Sequence, residues 1–196
     1  MQFFRVIGFL AVLVASSFAG TLTIAHTGTG YGTLNGIPFG ATDFTIIAIA
    51  NTANVTGIEY GVRWVKDDSA SISIDGLGSF MFIGNTYNFD NYADELVGFG
   101  GSCCDLFNGP RDTAFGTWDM LSSVGPIHGG GQLMQWEKNG TATSGGTLLL
   151  FGTMYEYTTF TATLSGSSVP EPASFWFAAA ALLGLAAFRR KSHNQS

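Results

Sequence analysis

Hydrophobic and polar residues alternate with a period of two along much of the chain between residues 20 and 168. In the stretch TDFTIIAIAN, the side chains of Phe44, Ile46 and Ala48 share one face of an extended strand. Similar short runs rich in β-branched and aromatic residues are EYGVRWV (59–65), SISI (71–74), GSFMFIG (78–84) and TLLLFGTMYEYTTFTATL (147–164). Each run predicts a β-strand, because β-branched and aromatic residues fit a pleated, half-buried surface.

Turn residues separate these runs, and no stretch of the same region shows a sustained helical period. The turns are predicted at Asn35-Gly36, Asp75-Gly76, Gly84-Asn85, Asn139-Gly140 and Ser144-Gly145-Gly146. Many short strands at near-regular spacing favour an all-β fold, namely an antiparallel β-sandwich of jelly-roll type.

Residues 100–131 interrupt this pattern. Glycine, proline and cysteine crowd there, and hydrophobic and polar residues hardly alternate. The segment is therefore expected to be a long loop or insertion at one end of the sandwich.

The N-terminus has the three parts of a secretory signal peptide. Arg5 precedes the apolar stretch Val6–Val14, and small residues follow up to Ala19. This order predicts export of the chain and cleavage between Ala19 and Gly20, so that residues 1–19 form the signal peptide.

The C-terminus has the pattern of a membrane anchor. Residues 173–188 form a run of sixteen uncharged residues, which as a helix would be about 24 Å long against a hydrocarbon core of about 30 Å. Arg189, Arg190 and Lys191 follow and are expected to stop the helix at the cytoplasmic face. The predicted organisation is then an ectodomain over 20–164, a linker over 165–168, the transmembrane helix, and a cytoplasmic tail over 192–196.

Four residues just before that apolar run, Val169-Pro170-Glu171-Pro172, add an extended and exposed segment, because two prolines forbid helix there. The order Val-Pro-Glu-Pro, an apolar helix with Leu-Gly-Leu, and an arginine-rich end resembles the PEP-CTERM sorting signal over about residues 168–191. The tail at 192–196 departs from this resemblance, since many members stop soon after the arginines. The resemblance implies that exosortase, a membrane-embedded cysteine transpeptidase, is the processing partner, and that the protein belongs to a species that exports polysaccharide.

Charge narrows the range of partners. Residues 20–168 hold four of the eight basic residues and thirteen of the fourteen acidic residues of the chain. Such an acidic surface repels phosphate backbones, which excludes nucleic acid as a partner. It also repels anionic lipid and anionic polysaccharide unless divalent cations bridge them.

The two cysteines, Cys103 and Cys104, are neighbours in the chain. Export brings them into an oxidising compartment, and the chain holds no third cysteine for an ordinary intrachain bridge. A vicinal disulfide is favoured, against two free thiols or bridges between molecules. The spacing of cysteine and histidine does not fit a zinc site.

Acidic residues offer candidate calcium sites. Asp67-Asp68, and Asp90 with Asp94-Glu95, lie in turn-like settings and could offer oxygens to calcium, but solvated loop acids are the favoured interpretation. Neither a metal nor a cofactor is therefore expected.

Glu137 and Glu156 could form a glycosidase pair, which needs two carboxylates facing each other across a cleft. Cys103 with His128 could form a nucleophile and base, but oxidation outside the cell opposes this. The chain is accordingly expected not to be an enzyme.

Together these patterns predict an exported, non-enzymatic surface or matrix protein. It is first anchored in the inner membrane with its domain outside, is processed near Pro-Glu-Pro, and then associates with extracellular polysaccharide. A carbohydrate-binding module on the same scaffold is the alternative, and a glycan-active enzyme is the third hypothesis.

Overall fold

The computed structural model describes residues 20–57, 59–102, 104–136 and 140–166, without the side chains of residues 59 and 153–157. Within these residues the fold is all-β. Its strands are β1 Thr21–Leu34, β2 Ile37–Thr56, β3 Val62–Ile74, β4 Gly78–Met81, β5 Thr86–Asn91, β6 Leu96–Gly101, β7 Cys104–Arg111, β8 Val124–Leu133, β9 Thr141–Thr143, β10 Gly146–Phe151 and β11 Thr153–Ser165. Short 3-10 turns lie at Glu59–Gly61 and Thr113–Gly116.

Strand pairing closes the sheet on itself. The order β1-β2-β3-β5-β6-β7-β8-β11 is antiparallel throughout, and β11 pairs again with β1 from Thr21↔Ser165 to Thr27↔Thr159. The described strands therefore form a closed eight-stranded antiparallel barrel. The all-β antiparallel class is confirmed, whereas the predicted sandwich is not, because one continuous sheet replaces two separate ones.

The second half of β1 has a different neighbour. From Tyr31 to Leu34, β1 pairs with β10, and β9 adds to the outer edge of β10. On the other side, β4 pairs with the last residues of β3, and the bridge Phe82↔Thr143 links the β4 side to β9. The long strands β1, β2 and β3 thus extend beyond the barrel and form a second, smaller sheet with β4, β9 and β10.

The alternation predicted from the sequence determines which side chains fill the interior. Phe44, Ile46 and Ala48 of β2 are buried, and so are Leu22 and Ile24 of β1. The threonines between them lie on the outer face, because successive side chains of a strand point to opposite sides.

The interior contains two hydrophobic clusters. One includes Phe44, Phe107 and Trp136, and the other includes Phe115 and Phe160. Burial of each large side chain contributes roughly 1.5–3 kcal/mol to folding.

Residues 100–131 are only in part the loop that the sequence predicted, since residues 112–123 contain no strand but the rest of the segment is mostly strand. The segment contains β7 and the first part of β8, and both strands belong to the barrel wall. Gly98 and Gly131 show why alternation is weak around it. A Cβ atom at Gly98 would lie 2.2 Å from the Phe89 ring, and one at Gly131 would lie 2.6 Å from Thr158. Glycine is used here for close contact between strands, so the hydrophobic pattern is lost.

No helix in the described ranges is long and apolar enough to cross a membrane. The predicted signal peptide (1–19) and transmembrane helix (173–188) both lie outside those ranges.

Candidate functional sites

The predicted sorting residues Val169, Pro170, Glu171 and Pro172, the membrane stop at 189–191 and the cleavage residue Ala19 lie outside the described residues. Gly20, on the other side of the predicted cleavage point, is buried. Its backbone N–H donates to Thr52 Oγ1 at 2.7 Å, and the Thr52 N–H donates to the Gly20 carbonyl at 2.9 Å. The barrel therefore holds the chain firmly from Gly20 onward.

Cys104 lies in β7 opposite Gly101 of β6 and is disulfide-bonded. Cys103 lies outside the described residues. A vicinal disulfide between the two cysteines remains a prediction.

Two of the acids expected to be solvated are buried. Asp67 is 6% exposed, and Asp90 is fully buried. The prediction of solvated loop acids is wrong for both, because alternation along β3 and β5 points their side chains into the barrel. Asp94 is exposed and accepts a hydrogen bond from Asn91 Nδ2 at 2.8 Å. Among the described residues, no three acidic, histidine or cysteine side chains form a group that could hold a metal ion.

The structure gives no distance between Glu137 and Glu156, because Glu137 and the side chain of Glu156 are outside its description. His128 is exposed on β8, and its Nδ1 lies 2.9 Å from Thr159 Oγ1. The hypothesis that Glu137 and Glu156 form a catalytic pair stays untested.

A polar cluster of His26, Asp67 and Asn88, here called the interior polar cluster, lies between the two hydrophobic clusters. Asn88 Nδ2 donates to Asp67 Oδ1 at 2.8 Å, and Asn88 Oδ1 lies 2.8 Å from His26 Nε2. Since the Asn88 oxygen can only accept, His26 Nε2 carries the proton. The His26 ring also packs against Phe107 and Phe160, with centroids 5.4 and 5.0 Å away, so it touches both clusters.

Burial controls the ionisation of this cluster. It lowers the pKa of His26 to about 4, opposed by the hydrogen bond to Asn88. It raises the pKa of Asp67 to about 6, opposed chiefly by the hydrogen bond from Asn88. His26 is therefore neutral at pH 7, and the low polarity of the interior disfavours charge on both side chains.

An ion pair lies at one end of the barrel. Arg63 Nη1 is 3.1 Å from Asp90 Oδ2, donates to the Trp118 carbonyl, and the guanidinium lies 4.4 Å from the centre of the Tyr92 ring. Burial raises the pKa of Asp90 to about 7, although the charge of Arg63 opposes this. These contacts join β3 and β5 to the segment after the second 3-10 turn, which identifies the pair as a structural element.

An aromatic groove lies on the outer face of β3, β5 and β7. It has a volume of about 400 Å³ and is lined by Val62, Trp64, Tyr87, Phe89, Asn91 and Asp105. Trp64 is 40% exposed, and its ring meets that of Tyr87 edge to face, with centroids 6.5 Å apart. Two of the barrel's tryptophans, Trp118 and Trp136, are instead buried in the core.

Glycines of β6 lie beneath the aromatic rings of this groove. Gly98 is the cross-strand partner of Phe89, and Gly100 is that of Tyr87. A Cβ atom at Gly100 would lie 2.2 Å from the Tyr87 ring, so both rings lie directly over bare backbone. The phenolic hydroxyl of Tyr87 then donates to Asp105 Oδ1 on β7 at 2.9 Å.

Sequence reasoning missed this groove. The signal was present as aromatic residues two apart in TYNFDN and glycines two apart in VGFGG. Alternation places each pair on one face, but only the pairing of β5 with β6 shows that the rings cover the glycines.

Comparison with known proteins adds information about the C-terminus. Residues 168–191 match the PEP-CTERM protein-sorting motif. No curated protein and no solved structure matches the chain. The match covers the Val-Pro-Glu-Pro segment, the apolar run and the basic residues, in agreement with the resemblance seen in the sequence. The chain therefore carries a PEP-CTERM sorting motif, which supports an exported protein that exosortase processes.

Proposed function

We propose that this chain is a non-enzymatic surface or matrix protein whose barrel remains outside the cell after exosortase acts near Pro-Glu-Pro. The observation that carries the proposal is the sorting motif at residues 168–191. In the sequence it begins soon after Ser165, the last residue of β11. In this proposal the C-terminal helix holds the protein in the inner membrane only until processing. The barrel then joins the extracellular polysaccharide layer.

The structural roles of three described acids support a non-enzymatic protein. Asp90 pairs with Arg63, and Asp67 accepts from Asn88. Asp112 caps the second 3-10 turn by accepting from the Ala114 N–H at 2.8 Å. These carboxylates hold structure, whereas a glycosidase needs two carboxyl groups about 5–9.5 Å apart across an open cleft.

A carbohydrate-binding module is the second candidate, and the aromatic groove favours it. Clefts that bind small ligands are mostly apolar and contain a few polar groups that fix the orientation of the ligand. The groove has this composition, since Trp64 and Tyr87 provide ring surface and Asp105 provides an acceptor. Selective binding on a glycan array supports this role, whereas a purely structural protein shows none.

The sorting proposal is tested by the mature form of the protein. The chain is expressed in a host with working exosortase and in a matched host that lacks it, and the C-terminus is determined by mass spectrometry. Processing predicts that residues 173–188 are absent from the mature protein in the first host and present in the second. An intact helix in both hosts would leave a plain membrane anchor instead.

Association with polysaccharide needs a separate measurement. Fractionation of the two hosts should place the barrel with the extracellular polysaccharide in the first and with the inner membrane in the second. Glu137→Gln and Glu156→Gln address the enzymatic alternative if any glycan hydrolysis is detected, since loss of that hydrolysis would support it.

A further inference from the structure

We infer that the aromatic groove is a binding site for an uncharged glycan, with the ring of one sugar stacked on Trp64 and its hydroxyls bonded to Asp105 and Asn91. This inference rests on the second candidate function, the carbohydrate-binding module, and names the surface and the ligand class.

Trp64 provides the first part of the argument. Its large side chain is 40% exposed near the start of β3, beside the half-buried ring of Tyr87 and the buried ring of Phe89. A sugar ring has one face of C–H groups, and an aromatic face is a suitable surface for them, because it is apolar and carries partial negative charge. An exposed indole with its neighbours already ordered loses little conformational entropy on binding.

The fixed positions of the rings provide the second part. The backbone of Gly98 and Gly100 lies directly beneath Phe89 and Tyr87, so the depth of the groove is set by the sheet. A larger residue at either glycine would fill the space that the rings occupy. The groove is therefore preformed, as ligand sites usually are.

Polar groups at the groove provide the third part. Burial is the main reason that the pKa of Tyr87 is raised, and its hydroxyl keeps its proton and donates to one oxygen of Asp105. A carboxylate can accept several hydrogen bonds, so Asp105 retains acceptor capacity for sugar hydroxyls. Asn91 also lines the groove, and its amide already bonds to Asp94 through both Nδ2 and Oδ1, which leaves one N–H and one lone pair for a ligand.

Charge selects among glycans. Asp105 is a carboxylate that lines the groove, and Lys66, the exposed cross-strand partner of Tyr87, is not part of its lining. The region 20–168 as a whole is also acidic, with thirteen acids against four basic residues. An anionic sugar such as a uronic acid is repelled by this field, whereas an uncharged hexose polymer is not.

The test uses the full chain, extracted in mild detergent, on an array that carries uncharged hexose oligosaccharides and uronic-acid oligosaccharides. The expected result is selective binding of one or more uncharged oligosaccharides. Trp64→Ala weakens this binding about tenfold or more, as for loss of an aromatic anchor. Trp64→Phe retains most of it, and Asp105→Asn weakens it less than Trp64→Ala does.

Tyr31→Ala is the matched control, because Tyr31 is also an exposed aromatic residue but lies on β1, outside the groove. It should bind as the unaltered chain does. Tryptophan fluorescence gives a second readout, since a sugar in the groove changes the emission of exposed Trp64, and this change is absent from Trp64→Phe.

Preference for uronic acids, binding unchanged by Trp64→Ala, or no binding by the folded chain would overturn the inference. A change in oligomeric state on Trp64→Ala without any glycan binding would instead assign the groove to contact between copies of the chain. Each of these results is independent of the fractionation experiment, so the inference can fail while the proposed function stands.

Discussion

The side chains of His26 and Asn88, which are 62 positions apart in the chain, meet in the centre of the barrel with Nε2 and Oδ1 2.8 Å apart. Asn88 also donates to Asp67, so one amide bonds to two ionisable side chains that are both buried. Among the described residues, His26 Nδ1 and Asp67 Oδ2 are buried polar atoms without a hydrogen-bond partner. The stability of the barrel should therefore depend more on the Asn88 side chain than on an ordinary buried amide.

Asn88→Leu should destabilise the protein by about 3 kcal/mol, because it leaves the His26 N–H and an Asp67 oxygen unsatisfied in an apolar interior. Urea unfolding followed by circular dichroism measures the change in free energy. Asn85→Ala is the control: Asn85 is exposed, so its replacement should change stability by less than about 0.5 kcal/mol. Equal effects of the two substitutions would contradict the assigned role of Asn88.

The ionisation of Asp67 makes stability depend on pH in a definite direction. Burial raises the pKa of Asp67 from 3.8 to about 6. The stability that the folded protein gains from a protonated Asp67 is therefore complete below pH 3.8 and is lost as the pH rises through 6. The loss amounts to about 3 kcal/mol, at 1.36 kcal/mol for each pKa unit. Asp67→Asn removes this loss, so the variant should gain stability relative to the unaltered protein between pH 4 and pH 7.

His26 acts in the opposite direction. Its pKa is lowered from 6.5 to about 4, so stability is lost as the pH falls from 6.5 towards 4. His26→Gln should therefore gain relative stability as the pH falls, which makes it the control for Asp67→Asn. Urea midpoints at pH 4, 5.5 and 7 give both slopes, and slopes of the same sign for the two variants would refute the assignment.

Local structure was predictable from the sequence where each element is specified by nearby residues. The face shared by Phe44, Ile46 and Ala48 follows from alternation, and these side chains are buried. The turn at Asn35-Gly36 follows from residues that tolerate positive φ, and their φ values are 51° and 77°. The all-β class follows from many such elements.

Closure of the barrel was not predictable, because it depends on pairing between distant strands. Thr21 of β1 lies opposite Ser165 of β11, and no local pattern in either strand distinguishes this pairing from an open edge. The position of Asp90 was missed for a related reason. Asp90 resembles a loop acid in sequence, and only the approach of Arg63 from β3 explains how its carboxylate is held in the interior.

The Arg63–Asp90 pair gives a prediction with its own pH dependence. Arg63→Met removes the charge that opposes the raised pKa of Asp90, together with the contacts to Trp118 and Tyr92. The free energy of unfolding should fall by about 3 kcal/mol at pH 8, where Asp90 must either stay protonated or be buried as an unpaired charge. The fall should be smaller at pH 5, because a neutral Asp90 needs no counter-ion.

Arg111→Met is the control for this variant, since Arg111 is exposed and donates to the backbone carbonyl of Asp94. Its effect should stay below about 1 kcal/mol at both pH values. A loss for Arg63→Met that is the same at pH 5 and pH 8 would show that packing, and not charge, accounts for its role.

The glycines beneath the aromatic groove give the last prediction. A Cβ atom at Gly100 would lie 2.2 Å from the Tyr87 ring, so Gly100→Ala must displace the ring and weaken its hydrogen bond to Asp105. The expected loss is about 1–3 kcal/mol, which is typical of overpacking. Gly40→Ala is the control, because β2 is extended there and nothing lies within 4 Å of the added atom. Urea unfolding of both variants measures the difference. If Gly100→Ala were as stable as Gly40→Ala, the ring would be free to move and the groove would not be preformed.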